Sequence, residues 1–229
     1  VPLLRLALHS KLLSSEFKGL LTFGGWMMVS NLVSPLMVFA DRFFISASQS
    51  ASSLAYYTTP FEVVTRLLVL PAAITTVLFP EMAKLQGERQ FERLASLNRH
   101  GMLVMALIMF PCVATGVFGA NAILTWWLGT QFADMATLPM QIMCVGVLFN
   151  SLAQFPFSLI QAVGRVKLIA YIHCLELPLY FVLLSALLTN YGIDGAAWAW
   201  LIRVFVDFAV LIFVARRISR GFGFSTVKS

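Results

Sequence analysis

Six stretches of this chain, each about 20 residues or longer, carry almost no charge, and segments rich in Lys and Arg separate several of them. A bilayer core about 30 Å thick is crossed by roughly 20 helical residues, so each stretch is long enough to span a membrane. A tilted barrel strand needs only about 9–11 residues of alternating character, which these stretches lack. The pattern therefore predicts an all-α membrane protein with six transmembrane helices. The predicted spans are Gly19–Ala40, Leu54–Phe79, Met102–Ala122, Met135–Val163, Leu168–Thr189 and Gly195–Ala215.

The cations predict the orientation of these spans. Of the 16 Lys and Arg residues, 13 fall within residues 1–18, 84–99, 165–167 and 216–228, whereas the connections at 46–53, 121–134 and 190–194 contain none. Because positive residues are retained on the cytoplasmic side, all four basic segments are expected there. We expect a cytoplasmic amphipathic or linker segment at 1–18, a six-helix bundle at 19–215 and a basic cytoplasmic tail at 216–229.

Composition and motifs exclude other classes of protein. The chain is 59% hydrophobic and 11% charged, with a mean hydropathy of +0.86, which is outside the range of soluble domains. Its net charge of +6 is explained by cytoplasmic cations near anionic headgroups, so nucleic-acid binding is not expected. The cysteines lack metal-binding spacing, and no phosphate-binding glycine loop or nucleophile elbow is present. We therefore expect neither a soluble-enzyme active site nor a resident cofactor.

The connection between the second and third predicted spans mixes charged and apolar residues from Glu81 to His100. This composition suits an amphipathic helix that lies on the membrane surface. It equally suits partly solvated extensions of the two spanning helices, and both interpretations remain open.

Ionisable residues inside the spans are the best indicators of function, because a charge at the bilayer centre costs about 2.5–3.5 kcal/mol on insertion scales. Glu62 with Arg66, and Arg203 with Asp207, are each four residues apart on one helix face. Such pairs either neutralise each other and brace the bundle, or the arginines face a water-filled cavity and bind an anionic group. Arg66 lies nearly midway along its span, which makes it the strongest candidate.

Two further groups of ionisable residues have two interpretations each. His173 and Glu176 are three residues apart, a spacing that can carry a proton or hold a coupled Na⁺, but that also fits a buried hydrogen-bonded pair. Asp41 and Arg42 stand at the predicted outer end of the first span, either as a surface anchor or as part of a cavity.

Three segments resemble a known family. DRFFIS (Asp41–Ser46) and the runs Ala55–Leu85 and Gly164–Leu211 resemble bacterial polysaccharide flippases of the multidrug/oligosaccharidyl-lipid/polysaccharide exporter superfamily. The resemblance implies two six-helix bundles around a central cavity, of which this chain, which begins with Val1, resembles the C-terminal one. It also implies that Arg66 and Arg203 contact the pyrophosphate or acidic sugars of the substrate.

The function implied by this resemblance is alternating-access transport in the bacterial inner membrane. The substrate would be an undecaprenyl-pyrophosphate-linked oligosaccharide for O-antigen, capsule or exopolysaccharide synthesis, and the partners would be that lipid, membrane lipids and an N-terminal bundle. A cation-coupled multidrug exporter of the same superfamily would require an acidic cavity. A membrane-embedded glycan ligase or polymerase would require large outer loops, and a membrane scaffold would not require buried charges.

Overall fold

The structure is a computed structural model that describes residues 24–26, 28, 32, 36–37 and 39–225, with side chains as far as residue 219. The predicted segment 1–18, most of the predicted first span and the end of the predicted tail lie outside these residues.

The described chain is built from helices, and no strand occurs within residues 39–225. The all-α prediction is therefore confirmed for this part of the chain. The helices are α1 (residues 39–48), α2 (Ala51–Thr65), α3 (Val69–Gly87), α4 (Phe91–Leu128), α5 (Thr130–Ala162) and α6 (Val166–Ser225), with a 3₁₀ turn (Arg66–Leu68) between α2 and α3.

Within the described residues, four helical segments are long and apolar enough to cross a membrane. They contain the second, third, fifth and sixth predicted spans and all of the fourth except Val163. The fifth and sixth predicted spans both fall inside α6. The count of six spans and the second bundle stay predictions. The four segments are Ala51–Gly87, Phe91–Leu128, Thr130–Ala162 and Val166–Ser219.

The long helix α6 consists of two helices that meet at Gly192. Gly192 has φ 60° and ψ −142°, a conformation that residues with a Cβ avoid and glycine adopts readily. Shortly after it, a Cβ added to Gly195 would collide with the Leu187 carbonyl group, so glycine also permits the close backbone approach there. The break falls in the connection that the sequence predicts at 190–194.

The structure corrects one predicted connection between spans and chooses between two interpretations of another. The prediction of a loop at 121–134 is wrong, because α4 continues to Leu128 and only Gly129, with φ 89°, separates it from α5. Between α3 and α4, the surface-helix interpretation is wrong. The helix α3 extends to Gly87 and α4 begins at Phe91, so both spans project beyond their apolar parts.

The helix α5 lies at the centre of the bundle and packs against α2, α3, α4 and α6. Small side chains allow this close packing, which in membranes depends on van der Waals contact rather than on exclusion of water. At Gly146 the Trp200 indole of α6 occupies the space where a side chain would lie, and Trp200 in turn packs edge-on against Phe61 of α2.

Replacing Gly146 by Ala is expected to lower the stability of the bundle, because the new Cβ would collide with the buried Trp200 ring. Overpacking of a well-packed core costs typically about 1–3 kcal/mol. Thermal unfolding of the purified full-length protein measures the effect. Gly87→Ala is the matched control, since a Cβ at Gly87 would meet nothing within 4 Å. Equal unfolding temperatures for the two variants would contradict this account of the packing.

The described basic segments lie at one end of the bundle. A separate cluster of buried apolar side chains joins the end of α3, the start of α4, the turn between α5 and α6, and the end of α6, through residues that include Met82, Leu94, Ile160, Ile169 and Ala215. We call this region, formed by residues 82–99, 160–169 and 211–219, the basic end. Its location on the cytoplasmic side stays a prediction.

Candidate functional site

The carboxylate of Asp41 links three helices inside the apolar bundle. Asp41 is fully buried in α1. It accepts a hydrogen bond from the Tyr57 hydroxyl of α2 at 2.5 Å and a second one from the Tyr180 hydroxyl of α6. Both tyrosines are also buried. The surface-anchor interpretation of Asp41 is therefore wrong, because the side chain points into the bundle.

Ionisable side chains from the two halves of α6 meet beside this carboxylate. His173, Glu176 and Tyr180 follow one face of the first half, and Arg203 and Asp207 lie one turn apart on the second. One nitrogen or oxygen atom from each of His173, Glu176 and Asp207 lies within 4.8 Å of the others. The His173 Nε2 and Asp207 Oδ1 atoms are 3.8 Å apart.

Arg203 lies near both the Asp41 carboxylate and the cluster of His173, Glu176 and Asp207. Its guanidinium carbon lies 5.6 Å from the centre of the Tyr180 ring, within the range of a cation–π contact. It interacts electrostatically with all three nearby carboxylates, those of Asp41, Glu176 and Asp207. With every carboxylate ionised and the histidine neutral, three negative charges face one positive charge. We call this group the buried polar layer: Asp41, Tyr57, His173, Glu176, Tyr180, Arg203 and Asp207.

Glu176 is the least satisfied member of the buried polar layer. Its side chain is 9% exposed, and neither carboxylate oxygen has a hydrogen-bond partner in the structure. The Oδ1 atom of Asp207 and the Nε atom of Arg203 are also buried without a hydrogen bond. Because a buried carboxylate without a partner is costly, this arrangement favours the uptake of a proton or a small cation.

A second set of charges lies on the surface of α1 and α2. Arg42 of α1 forms an ion pair with Glu62 of α2, with Nη2 and Oε1 3.1 Å apart, and both side chains are exposed to a substantial degree. Arg66 is exposed one helical turn beyond Glu62. We call Arg42, Glu62 and Arg66 the charged face.

The ion pairs expected from i, i+4 spacing do not form among the described residues. Glu62 bonds to Arg42 on the neighbouring helix instead of to Arg66, and the Asp207 Oδ1 atom lies 3.8 Å from His173 Nε2 on the other half of α6. The spacing places side chains on one helix face, but it does not choose between partners on the same helix and on a neighbouring helix.

Arg66 marks a break in its membrane span. The α-helix ends at Thr65, and Arg66 opens the 3₁₀ turn that precedes α3. Pro71 lacks an N–H group, so the Leu67 carbonyl loses its usual helical partner and the local hydrogen bonding changes. Mid-helix 3₁₀ turns often mark hinges or functional positions. Arg66, the strongest candidate for substrate binding from the sequence, thus lies where its helix becomes irregular.

Tyr57 and Tyr180 are not among the site residues predicted from the sequence. Tyr180 lies one turn beyond Glu176 on the same face, a spacing that was visible in the sequence. Tyr57 gave a weaker signal, because no other residue of the buried polar layer lies on α2. The structure groups His173, Glu176, Arg203 and Asp207 with Asp41. Glu62 on α2 and Arg66 in the 3₁₀ turn are instead exposed.

Comparisons with known proteins agree with this architecture. A family model described as "Polysaccharide biosynthesis protein" matches residues 4–137. A protein named "Putative O-antigen transporter" from Shigella flexneri is 40% identical over 195 residues, which cover 85% of this chain and 46% of the relative. The fold also matches a solved structure, the outward-facing conformation of a multidrug resistance MATE family transporter of the MOP superfamily, with a TM-score of 0.75 at 18% identity. The matched region covers 86% of this chain and 44% of the solved transporter's chain. The chain therefore spans about half the length of these relatives and shares the fold of the solved transporter.

Proposed function

The chain belongs to a family of polysaccharide biosynthesis proteins, and from that premise we propose that it forms part of a transporter that moves lipid-linked oligosaccharides across the bacterial inner membrane. The proposed substrate is an undecaprenyl-pyrophosphate-linked oligosaccharide, and the proposed mechanism is alternating access between two bundles. The polysaccharide family and the named O-antigen relative support the class of substrate. The likeness to a MOP-superfamily structure supports the fold that such a mechanism requires.

The exposed guanidinium group of Arg66 is the observation that carries the proposal. It lies near the middle of a membrane span, where contact with lipid would cost about 2.5–3.5 kcal/mol on insertion scales. It forms no ion pair with another described residue. The charged face therefore borders a hydrated path rather than lipid, and Arg66 binds the pyrophosphate or an acidic sugar with its fork of donors.

The same superfamily exports organic cations, and the excess of carboxylates in the buried polar layer favours that class of cargo. These carboxylates, however, lie inside the bundle, whereas the charged face combines two arginines with one glutamate. A cationic surface suits a pyrophosphate substrate better than a cationic drug. We therefore assign the acidic layer to energy coupling and the charged face to the substrate.

The coupling ion in this proposal is H⁺ or Na⁺, taken up by the buried polar layer. Glu176, Asp207 and His173 supply the oxygen and nitrogen donors, and Arg203 balances part of the negative charge. Uptake of one positive charge changes the electrostatics between the two halves of α6 and, through Tyr180, at Asp41. The buried polar layer thereby links ion binding to the helices α1 and α2 that carry the charged face.

Replacing Glu176 by Gln is expected to remove the dependence of transport on the coupling ion. The amide keeps the size of the side chain but cannot lose a proton or carry a negative charge. Transport by the full-length protein in vesicles, measured against imposed pH and Na⁺ gradients, tests this expectation. Glu62→Gln is the matched control on the charged face and should keep the gradient dependence. An unchanged gradient profile in the Glu176 variant would assign Glu176 to structure alone.

Deletion of the gene in its native host tests the class of function. We expect lipid-linked oligosaccharide to accumulate on the cytoplasmic side and surface polysaccharide to disappear, and both effects to be reversed by the full-length protein. Normal surface polysaccharide together with increased sensitivity to cationic drugs would instead support the multidrug exporter. Normal translocation with unjoined glycans on the outer side would support a ligase or polymerase.

A further inference from the structure

A pocket opens at the basic end, away from the charged face and the buried polar layer. It has a volume of about 420 Å³, within the range of roughly 300–1,000 Å³ that is typical of small-molecule sites. The start of α4, the Pro156 region of α5 and the end of α6 form its walls. None of the residues assigned above to transport contributes to it.

The rim of the pocket is polar and carries a net positive charge. Arg99 of α4 and Arg216 of α6 supply two guanidinium groups, and Glu92 supplies one carboxylate. Neither arginine forms an ion pair with another residue in the described part of the chain. Ser96 and Ser219 add hydroxyl groups from the same two helices. The rim therefore offers unpaired cationic donors from two helices to a single anion.

Asn98 provides a second, independent observation, because its side-chain oxygen lacks a hydrogen-bond donor. Its amide oxygen is buried and accepts no hydrogen bond in the structure, although the residue lines the pocket. A buried amide oxygen without a donor is uncommon, and rotation of the Asn98 side chain toward the pocket would let a hydroxyl group of a ligand supply one. A ligand that carries both a phosphate and a hydroxyl group would satisfy the rim and the amide together.

The wall of the pocket next to this rim is apolar. Met102 lies one turn beyond Arg99 on α4, and Ile212 lies one turn before Arg216 on α6, so apolar side chains follow the arginines on both helices. Pro156 and Ala215 complete this wall. A charged rim joined to an apolar wall at the end of membrane-spanning helices matches an amphiphile whose headgroup lies at the interface.

We propose that this pocket, between Arg99 and Arg216, binds the headgroup of an anionic phospholipid of the phosphatidylglycerol type. The phosphate diester pairs with the two guanidinium groups, the glycerol hydroxyls face Asn98, and the acyl chains follow the apolar wall. Because the lipid contacts both α4 and α6, it connects helices that touch each other less than either touches α5. The site is independent of the transported substrate.

The test uses the full-length protein in detergent and a series of added ligands. Phosphatidylglycerol is expected to remain bound in native mass spectrometry and to raise the unfolding temperature more than phosphatidylethanolamine does, since ligands that bind the folded state stabilise it. Inorganic phosphate and glycerol phosphate should have little effect, because they lack the acyl chains. Equal effects of both lipids, or of inorganic phosphate and phosphatidylglycerol, would overturn the proposal.

Variants that remove either the cations or the carboxylate of the rim make the test specific, because they should change lipid binding in opposite directions. The double variant Arg99→Gln, Arg216→Gln should bind phosphatidylglycerol roughly tenfold or more weakly, because each basic residue at an anionic surface contributes substantially to binding. Glu92→Gln removes the only carboxylate of the rim and should strengthen binding about threefold. The control Arg165→Gln, Lys167→Gln removes two cations at the same end but outside the pocket.

The control should leave binding at this site unchanged. Unfolding temperatures without added lipid report whether each variant folds. If a folded double variant binds phosphatidylglycerol as tightly as the control, or if Glu92→Gln weakens binding, the assignment of this pocket is wrong.

Discussion

We expect replacement of Arg66 by Ala in the full-length protein to abolish surface polysaccharide and to leave the amount of protein in the membrane unchanged. The side chain is exposed at the 3₁₀ turn and forms no ion pair within the described residues, so its removal breaks no ion pair between helices. In the proposed function it would also remove charge-assisted hydrogen bonds to the substrate, and a hydrogen bond to a charged group contributes about 1.5–3 kcal/mol. One such bond corresponds to roughly a 10- to 100-fold loss of affinity. Quantitative staining of the surface glycan and immunoblotting of membranes measure the two outcomes.

Two variants separate the proposed role of Arg66 from a general need for positive charge. Arg66→Lys keeps the charge but not the planar fork of donors, so it should retain partial transport. Lys167→Ala removes an exposed cation at the basic end and should retain full transport. Wild-type glycan display by Arg66→Ala would exclude Arg66 from the path, and a loss of membrane protein would assign it to folding.

Replacement of Asp41 by Ala has the second large effect, and here the expected loss is in stability. The substitution leaves the buried hydroxyl groups of Tyr57 and Tyr180 without their acceptor. Each unsatisfied buried group costs about 1–3 kcal/mol, and these two losses arise at a junction of three helices. We expect the variant to be nearly absent from membranes at the growth temperature. Immunoblotting, together with the unfolding temperature of any protein recovered, measures the loss.

Conservative variants test whether the hydrogen bonds are the cause. Tyr57→Phe and Tyr180→Phe each remove one hydroxyl and leave the other bond to Asp41 intact, so each should destabilise less than Asp41→Ala does. Asp41→Asn keeps an acceptor oxygen and should be intermediate. The exposed Ser46 of α1 is the matched control, because Ser46→Ala removes a polar group that lies outside this junction. Stability of Asp41→Ala equal to that of Ser46→Ala would contradict this account.

Much of the fold could be predicted because hydropathy reports depth in the membrane. Apolar stretches of sufficient length fall in the four helical segments that are long and apolar enough to cross a membrane, and the segments rich in Lys and Arg identified one end of the bundle. The ends of helices were harder to predict, because a helix continues into the headgroup region without a change in backbone structure. This is why residues 121–134, which lie between two predicted spans, were expected to form a loop, whereas only Gly129 separates α4 from α5.

The candidate residues of the site could be found from the cost of charge in lipid, but their partners could not. That cost pointed to Asp41, Glu62, Arg66, His173, Glu176, Arg203 and Asp207. Partners depend on which helices pack together, so Arg42 was not paired with Glu62 in the prediction, and Tyr57 was not connected with Asp41. The buried polar layer arises from the return of the chain at Gly192, which brings Glu176 and Asp207 together.

The most direct measurement is the access of water to position 66. In a full-length protein from which every native cysteine has been removed, Arg66→Cys and Phe110→Cys each introduce a single thiol into the apolar part of a span. Both native side chains are exposed, but Phe110 lies on the apolar surface of α4, where we expect lipid. A membrane-impermeant thiol reagent reacts with the thiolate, which forms only where water reaches. We predict rapid labelling at position 66, slowed by the lipid-linked substrate, and no labelling at position 110; equal labelling at both positions, or none at position 66, would contradict a hydrated path along the charged face.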